Sequence, residues 1–342
     1  MGQNASNSQA TTPFEGTPVG TVTAADPFDK NADAEALKNA MAGFGTDEDA
    51  INKIMTKRSN AQRQEIAAAY KTKYNENLID CLKDELSGDY RLTVSCMLDD
   101  PALMLAKFVN RILKDGDCKS VQLLEIIFPL KPTEVLAVAA AYNEAFSAKM
   151  SDDVMNGLDS PFKTVLGNII VGERSAEPDA NPEYAKTDAD YLIQTDPKDW
   201  QLPNERLDEV FGKASISHLV EVFKQADQQF VAAKKSLVKV VQDSSMSEEQ
   251  KAAFMVMIKS IYTPIAFYAD GLYYSMKGLG TKDEKLIRII IGRSEIDLGT
   301  IKAKFQTAYS TSLADMVTSD TSGDYKNILL GIINADAPPA SS

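Results

Sequence analysis

Met276-Lys277-Gly278-Leu279-Gly280-Thr281-Lys282-Asp283 lines up with Met41-Ala42-Gly43-Phe44-Gly45-Thr46-Asp47-Glu48, with the methionine, both glycines and the threonine in register 235 residues apart. A second motif keeps the same offset: Ser87-Gly88-Asp89-Tyr90 recurs as Ser322-Gly323-Asp324-Tyr325. Two unrelated motifs at one offset mean internal repetition, and the interval has room for two more copies of similar size. Those middle copies are weaker. One runs from Pro101 and carries Leu113-Lys114-Asp115-Gly116-Asp117-Cys118 at the glycine motif. The other carries Asp199-Trp200-Gln201-Leu202-Pro203 there and Asp243-Ser244-Ser245 at the later motif. The expected division is a flexible tail over 1–26, copies over 27–99 and 100–171, a Pro-containing linker over 172–186, copies over 187–259 and 260–335, and a C-terminal tail over 336–342.

Within each copy the apolar pattern is helical. Ala36, Leu37, Ala40 and Met41 make one stripe, and β-branched alternation is scarce. Thr46 with Asp49, Thr281 with Glu284, Ser59 with Gln62, and Ser294 with Asp297 all read as helix starts. The pattern predicts about five short helices per copy and an all-α chain.

The 342 residues hold 49 Asp and Glu against 36 Lys and Arg, a net charge of −13. At 44% hydrophobic residues, the chain has enough apolar material for a core. The acid excess argues against nucleic acid, whose phosphates need clustered Lys and Arg. It also opposes an anionic membrane, unless something reverses the local sign. Cys81, Cys96 and Cys118 cannot all pair within the chain, so reduced thiols in a cytosolic protein are expected. The single histidine, His218, sits in an apolar helical stretch and reads as a structural residue. No convergent nucleophile or acid–base set emerges, so an enzyme is not expected. No stretch reaches the ~20 uninterrupted apolar residues of a membrane span, and the N-terminus lacks a secretory signal. Met1-Gly2-Gln3-Asn4-Ala5-Ser6 fits the acylation pattern at Gly2, and it equally fits an ordinary polar start.

The glycine motif has a direct chemical reading. The helix that ends near Met41 leaves its last carbonyls without intrahelical partners, and these form the negative end of the helix dipole. Gly43 and Gly45 let the chain turn with φ > 0, so successive carbonyls can point at one spot. Such a ring suits Ca²⁺, which takes about 6–8 oxygens. It lacks charge, which Glu85 supplies from 42 residues beyond Gly43, and Asp320 stands at the same distance beyond Gly278. Three carbonyls and one bidentate carboxylate give about five oxygens, leaving positions for water or a lipid phosphate oxygen. The plainer alternative is a capped helix–helix turn without metal. Two copies, each with an acid at equal spacing, favour the metal.

On these residues the chain resembles the annexin family from about Pro27 to Asn334. The Met276-Lys277-Gly278-Leu279-Gly280-Thr281…Asp320 pattern is similar to the family's type II calcium site, and Ile291-Gly292-Arg293-Ser294-Glu295-Ile296-Asp297-Leu298 is similar to a fourth repeat. The resemblance implies four annexin-like repeats of about five helices each, forming a curved disc with calcium loops on its convex face. It implies Ca²⁺ as the cofactor and acidic phospholipid membranes of the phosphatidylserine type as the partner. The implied ligands are the carbonyls of Met41, Gly43 and Gly45 with the Glu85 carboxylate, and of Met276, Gly278 and Gly280 with Asp320.

Departures from the pattern shape further expectations. Repeat 2 has Gly157 at the acid position, so no type II site is expected there. Repeat 3 keeps the acid as Asp243 but replaces the glycine turn, which leaves a non-standard site as an open alternative. Trp200 stands where similar annexins present a loop tryptophan to the bilayer; the alternative is a ring packed on its own loop. Lys277, against Ala42, suggests that the fourth repeat contacts lipid headgroups better than the first. Thr46 with Glu48, and Thr281 with Asp283, are candidate weak secondary ion ligands, against simple helix capping. The leading function is calcium-dependent binding to acidic membranes by a cytoplasmic protein, with signal-free export left open. The alternative is a membrane-associated scaffold whose N-terminal tail recruits a protein partner or a second membrane. A cation-conducting assembly is suggested by family resemblance alone.

Overall fold

The computed structural model describes residues 16–115, 119–231 and 235–336, and among these it holds twenty α-helices and no strand. Gly2, the turn Gly116-Asp117-Cys118 and the C-terminal tail from residue 337 lie outside the described residues. The helices come in four sets of five, which bears out the all-α expectation. The first set is α1 (Lys30–Ala40), α2 (Glu48–Met55), α3 (Asn60–Tyr74), α4 (Leu78–Glu85) and α5 (Gly88–Leu98). The second is α6 (Pro101–Lys114), α7 (Lys119–Ile127), α8 (Pro132–Phe146), α9 (Met150–Gly157) and α10 (Lys163–Ile170). The third is α11 (Pro182–Gln194), α12 (Glu205–Asp208) continued as a π-turn over Glu209–Lys213, α13 (Ile216–Val231), α14 (Leu237–Asp243) and α15 (Glu248–Tyr262). The fourth is α16 (Pro264–Met276), α17 (Asp283–Arg293), α18 (Leu298–Tyr309), α19 (Leu313–Asp320) and α20 (Gly323–Ile333).

Local chemistry explains many of the boundaries. Ser59 and Gln62 form the expected capping box at the start of α3, and Ser247 with Gln250 repeats it at α15. Three other expected starts are corrected, Thr281 among them, since Lys282 stands at the N-cap of α17 and no side chain caps that end. Asp47, not Thr46, caps α2 by accepting from the Ala50 N–H at 2.9 Å. Ser294 closes α17 by donating to the Ile291 carbonyl, and Asp297 pairs with Arg293. Both threonines of the glycine motif are thereby free for another task.

The chain forms two compact units. Among the described residues, one comprises 16–104 and 268–336. There α2 packs on α20 and α5 packs on α17, a reciprocal exchange between the first and fourth helix sets. The α2–α20 crossing is close enough to require Gly331, since a Cβ there would stand 2.8 Å from Thr56 Cγ2. Arg63, 2% exposed, donates to the carbonyls of Met97 and Met55 at the ends of α5 and α2, and pairs with Glu295 at 3.3 Å. Residues 19–25, expected to belong to a flexible tail, are instead pinned to this unit. Thr21 and Val22 N–H donate to the Ser294 carbonyl, Val19 exchanges hydrogen bonds with Thr300, and the Gln62 amide clasps Ala25 from both sides.

The other unit comprises residues 105–267. It repeats the exchange, with α7 on α15 and α10 on the π-turn, and its strongest helix pair is α11 with α13. His218 is structural in this pair, its Nε2 lying 2.7 Å from Asp188 Oδ2. Phe162, Trp200 and Phe211 surround Phe254 with ring centroids 5.4–5.6 Å apart. Arg174 is buried at 3% exposure and donates to the Phe128 carbonyl at 2.6 Å and the Phe211 carbonyl at 3.0 Å, over the Phe128 ring. Its charge faces two helix ends, whose dipoles favour a cation. Desolvation lowers its pKa to about 10, so it remains protonated at neutral pH. Arg174→Leu strands those two carbonyls and is expected to cost about 3 kcal/mol, read as a lower urea midpoint; an unchanged midpoint would refute this role.

Candidate metal centre

The two glycine loops are built alike. In the first, α1 ends at Ala40 and the Asp47 N–H donates back to the Ala40 carbonyl at 2.8 Å. In the fourth set, the Lys282 N–H donates to the Ser275 carbonyl at the same 2.8 Å. Each bond closes the neck of the loop that precedes the next helix. Gly43 and Gly45 stand at φ +100° and +93°, and Gly278 and Gly280 at +117° and +80°. Nothing lies within 4 Å of a Cβ added at these positions, so glycine is required by backbone conformation and not by crowding. No described hydrogen bond ends on the carbonyls of these four glycines.

The carboxylates come to the loops as the spacing predicts. Glu85 is the last residue of α4 and accepts from Thr46 Oγ1 at 3.1 Å. Asp320 is the last residue of α19 and accepts from Thr281 Oγ1 at 2.6 Å. The threonine hydroxyls, once released from capping, hold the acid toward the loop. Both carboxylates sit at the negative end of a helix dipole, where an anion is destabilising. Among the described residues neither has a Lys or Arg partner. Asp243 occupies the same helix-end position in the third set, but Lys239 one turn earlier meets it at 2.8 Å. Gly157 ends α9 and brings no acid.

The surroundings add charge. Asp283 opens α17, and burial first, then the nearby Asp89, raises its carboxyl pKa, with Asp320 contributing in the same direction. Glu48 opens α2 at the corresponding place. Among the described residues no three His, Cys, Asp or Glu side chains converge at metal-binding range. A cation here would therefore be held mainly by main-chain oxygens with one carboxylate, which is the donor chemistry of Ca²⁺.

Two features of the loops escaped the sequence reading. Phe44 and Leu279, each between two glycines, are fully exposed at the loop tips. An apolar residue inside a turn motif was the available signal. Lys277 is also exposed, as expected of a headgroup contact, and its ammonium lies 5.2 Å and 5.7 Å from the ring centres of Tyr273 and Tyr274. Trp200 is a correction. The ring is 1% exposed, packed edge-on against Phe254, with its indole N–H donating to the Thr195 carbonyl at 3.2 Å. The third-set loop turns inward through a 3₁₀ segment, Pro197–Asp199, because it lacks the glycines that let the others project.

Known proteins resemble this chain over most of its length. The annexin family profile matches residues 32–95 and 267–332, the two stretches that hold both loops and both carboxylates. Human annexin A5 is 36% identical over 319 residues, covering 93% of this chain and 98% of that protein. The structure of chicken annexin V superposes with a TM-score of 0.82 at 34% identity, covering 93% and 99% of the two chains. A calcium-bound structure titled annexin (Sm)1 superposes at 0.81 with 28% identity, covering 95% of each.

The position of Asp320 at a helix end has a measurable consequence. With calcium chelated, Asp320→Asn removes an anion from the negative end of α19 and is expected to raise stability by about 0.3–1 kcal/mol. Urea unfolding in chelator reads this gain; a loss would show that the fold itself needs the carboxylate.

Proposed function

The chain belongs to the annexin family, whose members are calcium-dependent phospholipid-binding proteins, and on that premise we propose that its glycine loops dock it onto acidic membranes when calcium fills them. The observation that carries the proposal is the pair of helix-end carboxylates, without countercharge among the described residues, each bonded to the threonine of a loop whose glycine carbonyls accept no described hydrogen bond. Met41, Gly43 and Gly45 with Glu85 would hold one ion, and Met276, Gly278 and Gly280 with Asp320 another. Calcium supplies positive charge and open coordination positions for a lipid phosphate oxygen.

The chain's own residues then do the rest. Without the ion, Glu85 and Asp320 add to an acid excess that an anionic bilayer repels. With it, the local sign reverses at the loops alone. Phe44 and Leu279 project beyond the glycines and meet the headgroup boundary first. Full burial of such a side chain stabilises by about 1.5–3 kcal/mol, and partial burial by less. Both loops belong to the same compact unit, so two modest contacts combine through effective concentration. Thr46 and Thr281 act as positioning residues, and Glu48 and Asp283 stand one turn away as secondary oxygens. Among the described residues repeats 2 and 3 do not match this pattern, since Gly157 has no side chain to offer and Asp243 already pairs with Lys239.

No described helix is long and apolar enough to cross a membrane, which suits a surface-bound mode. Sedimentation with phosphatidylserine vesicles tests the proposal. The protein is expected to pellet in calcium and stay in solution in chelator. Glu85→Gln combined with Asp320→Asn should abolish pelleting. Equal pelleting in both conditions, or wild-type pelleting by the double variant, would overturn the assignment.

A further inference from the structure

A cleft of about 460 Å³ opens between α10 and α12 with its π-turn, within the unit of residues 105–267. Its size falls in the range of roughly 300–1,000 Å³ that holds small organic molecules. Thr164 and Asn168 line one wall, one helical turn apart on α10. Among the described residues neither the Thr164 hydroxyl nor the Asn168 side-chain amide has a hydrogen-bond partner. Gly212 of the π-turn makes room for Asn168, since a Cβ there would stand 3.0 Å from its Nδ2. On the other wall, Glu205 and Asp208 lie one turn apart on α12. Asp208 Oδ1 is buried without a hydrogen-bond partner. Burial raises the Asp208 carboxyl pKa, against the pull of the Asn204 backbone N–H and the Lys213 charge. Glu209 and Lys213 also reach the cleft, but they pair with each other at 2.8 Å. Glu205 has no basic partner among the described residues.

Asp208 departs from the pattern of the corresponding helices. Four residues past the N-cap, α2 carries Ile51 and α17 carries Leu286, both fully buried. At that place, four past Asn204, α12 carries Asp208. A carboxylate there forgoes the hydrophobic gain of an aliphatic side chain and leaves one oxygen desolvated without a bond. Packing alone does not account for it. A ligand that supplies the missing donor does.

We propose that this cleft binds a small aliphatic diamine, with Asp208 holding the inner ammonium and Glu205 the outer one. The charge selects a cation, because two carboxylates remain once Glu209 and Lys213 have paired. Among the described residues no three His, Cys, Asp or Glu side chains converge at metal-binding range, so a bare metal ion would lack its ligands. A primary ammonium matches better. Its three N–H donors suit Asp208 Oδ1, the Thr164 hydroxyl and the Asn168 side-chain carbonyl. Glu205, one turn along the same helix, stands within reach of a second ammonium across a short methylene chain, and Pro203 offers that chain an apolar wall. The two glycine loops lie in the other unit, so this binding needs neither calcium nor a membrane.

Calorimetric titration of the full chain with putrescine, in chelator and without vesicles, tests this. One equivalent is expected to bind. Asp208→Asn should weaken binding about tenfold and the exposed Glu205→Gln about threefold, the scales of a buried and a solvent-exposed charged contact. Butylamine, which lacks the second ammonium, should respond to Asp208→Asn and ignore Glu205→Gln. Glu144→Gln makes the same change of charge at an exposed site on α8 and should alter nothing. Asp208→Leu should abolish binding and raise the urea midpoint, because it restores the aliphatic residue of the corresponding helices. A lowered midpoint would make the carboxylate a structural group and overturn the proposal. Equal weakening by Glu144→Gln would reduce the binding to bulk attraction by an acidic chain and overturn it as well. Pelleting with phosphatidylethanolamine vesicles in chelator, lost in Asp208→Asn, would assign the ammonium to a lipid headgroup and overturn the soluble-diamine assignment.

Discussion

An anion at the C-terminal end of a helix opposes the helix dipole, and this chain places Glu85 and Asp320 there with no countercharge among the described residues. Glu85 and Asp320 are each steered by a threonine hydroxyl toward a loop whose carbonyls add still more negative potential. Folding alone gains nothing from such an arrangement. It would become favourable with a hard cation bound as proposed, because carboxylate, helix end and loop carbonyls would then share one partner. The proposed membrane docking and the proposed sign change in an acidic chain both rest on that electrostatic conflict, beside the exposed apolar tips at Phe44 and Leu279.

The third helix set shows the same conflict resolved internally. Asp243 stands at the end of α14 as Glu85 does at the end of α4, but Lys239 neutralises it within one turn. The loop opposite has no glycines to turn its carbonyls outward, and it buries Trp200 against Phe254 in the core of its unit. The second set drops the acid altogether at Gly157. On the proposed reading, the first and fourth sets hold the cation loops, and among the described residues the second and third lack the same pattern. Arg174 shows what packing asks of the second pair. It is a buried cation with no carboxylate, stabilised by the carbonyls of Phe128 and Phe211 at helix ends.

The periodic features were legible in the sequence because they are local or repeated. Helical stripes, the Ser59–Gln62 capping box and the 235-residue offset each need only near neighbours or a second copy to be recognised. The spacing of 42 residues between glycine and acid was legible for the second reason. What was misread depended on partners far along the chain. Thr46 and Thr281 look like N-caps because their partners three residues on are acidic, yet their hydroxyls reach carboxylates 39 residues away. Trp200 sits where a membrane-facing residue is expected, and only the tertiary placement of Phe254 and the Thr195 carbonyl shows it to be core. Residues 19–25 have the composition of a tail, and their order comes from hydrogen bonds to Ser294, Thr300 and Gln62 that no local pattern announces.

Calcium, on the proposed reading, resolves the helix-end conflict at two loops. A crystal structure of the full chain grown in millimolar calcium tests it most directly. One ion is expected on the Asp320 carboxylate and the carbonyls of Met276, Gly278 and Gly280, and a second at Glu85 with Met41, Gly43 and Gly45. Empty loops at Gly43–Gly45 and Gly278–Gly280, with calcium held elsewhere on the chain, would contradict it.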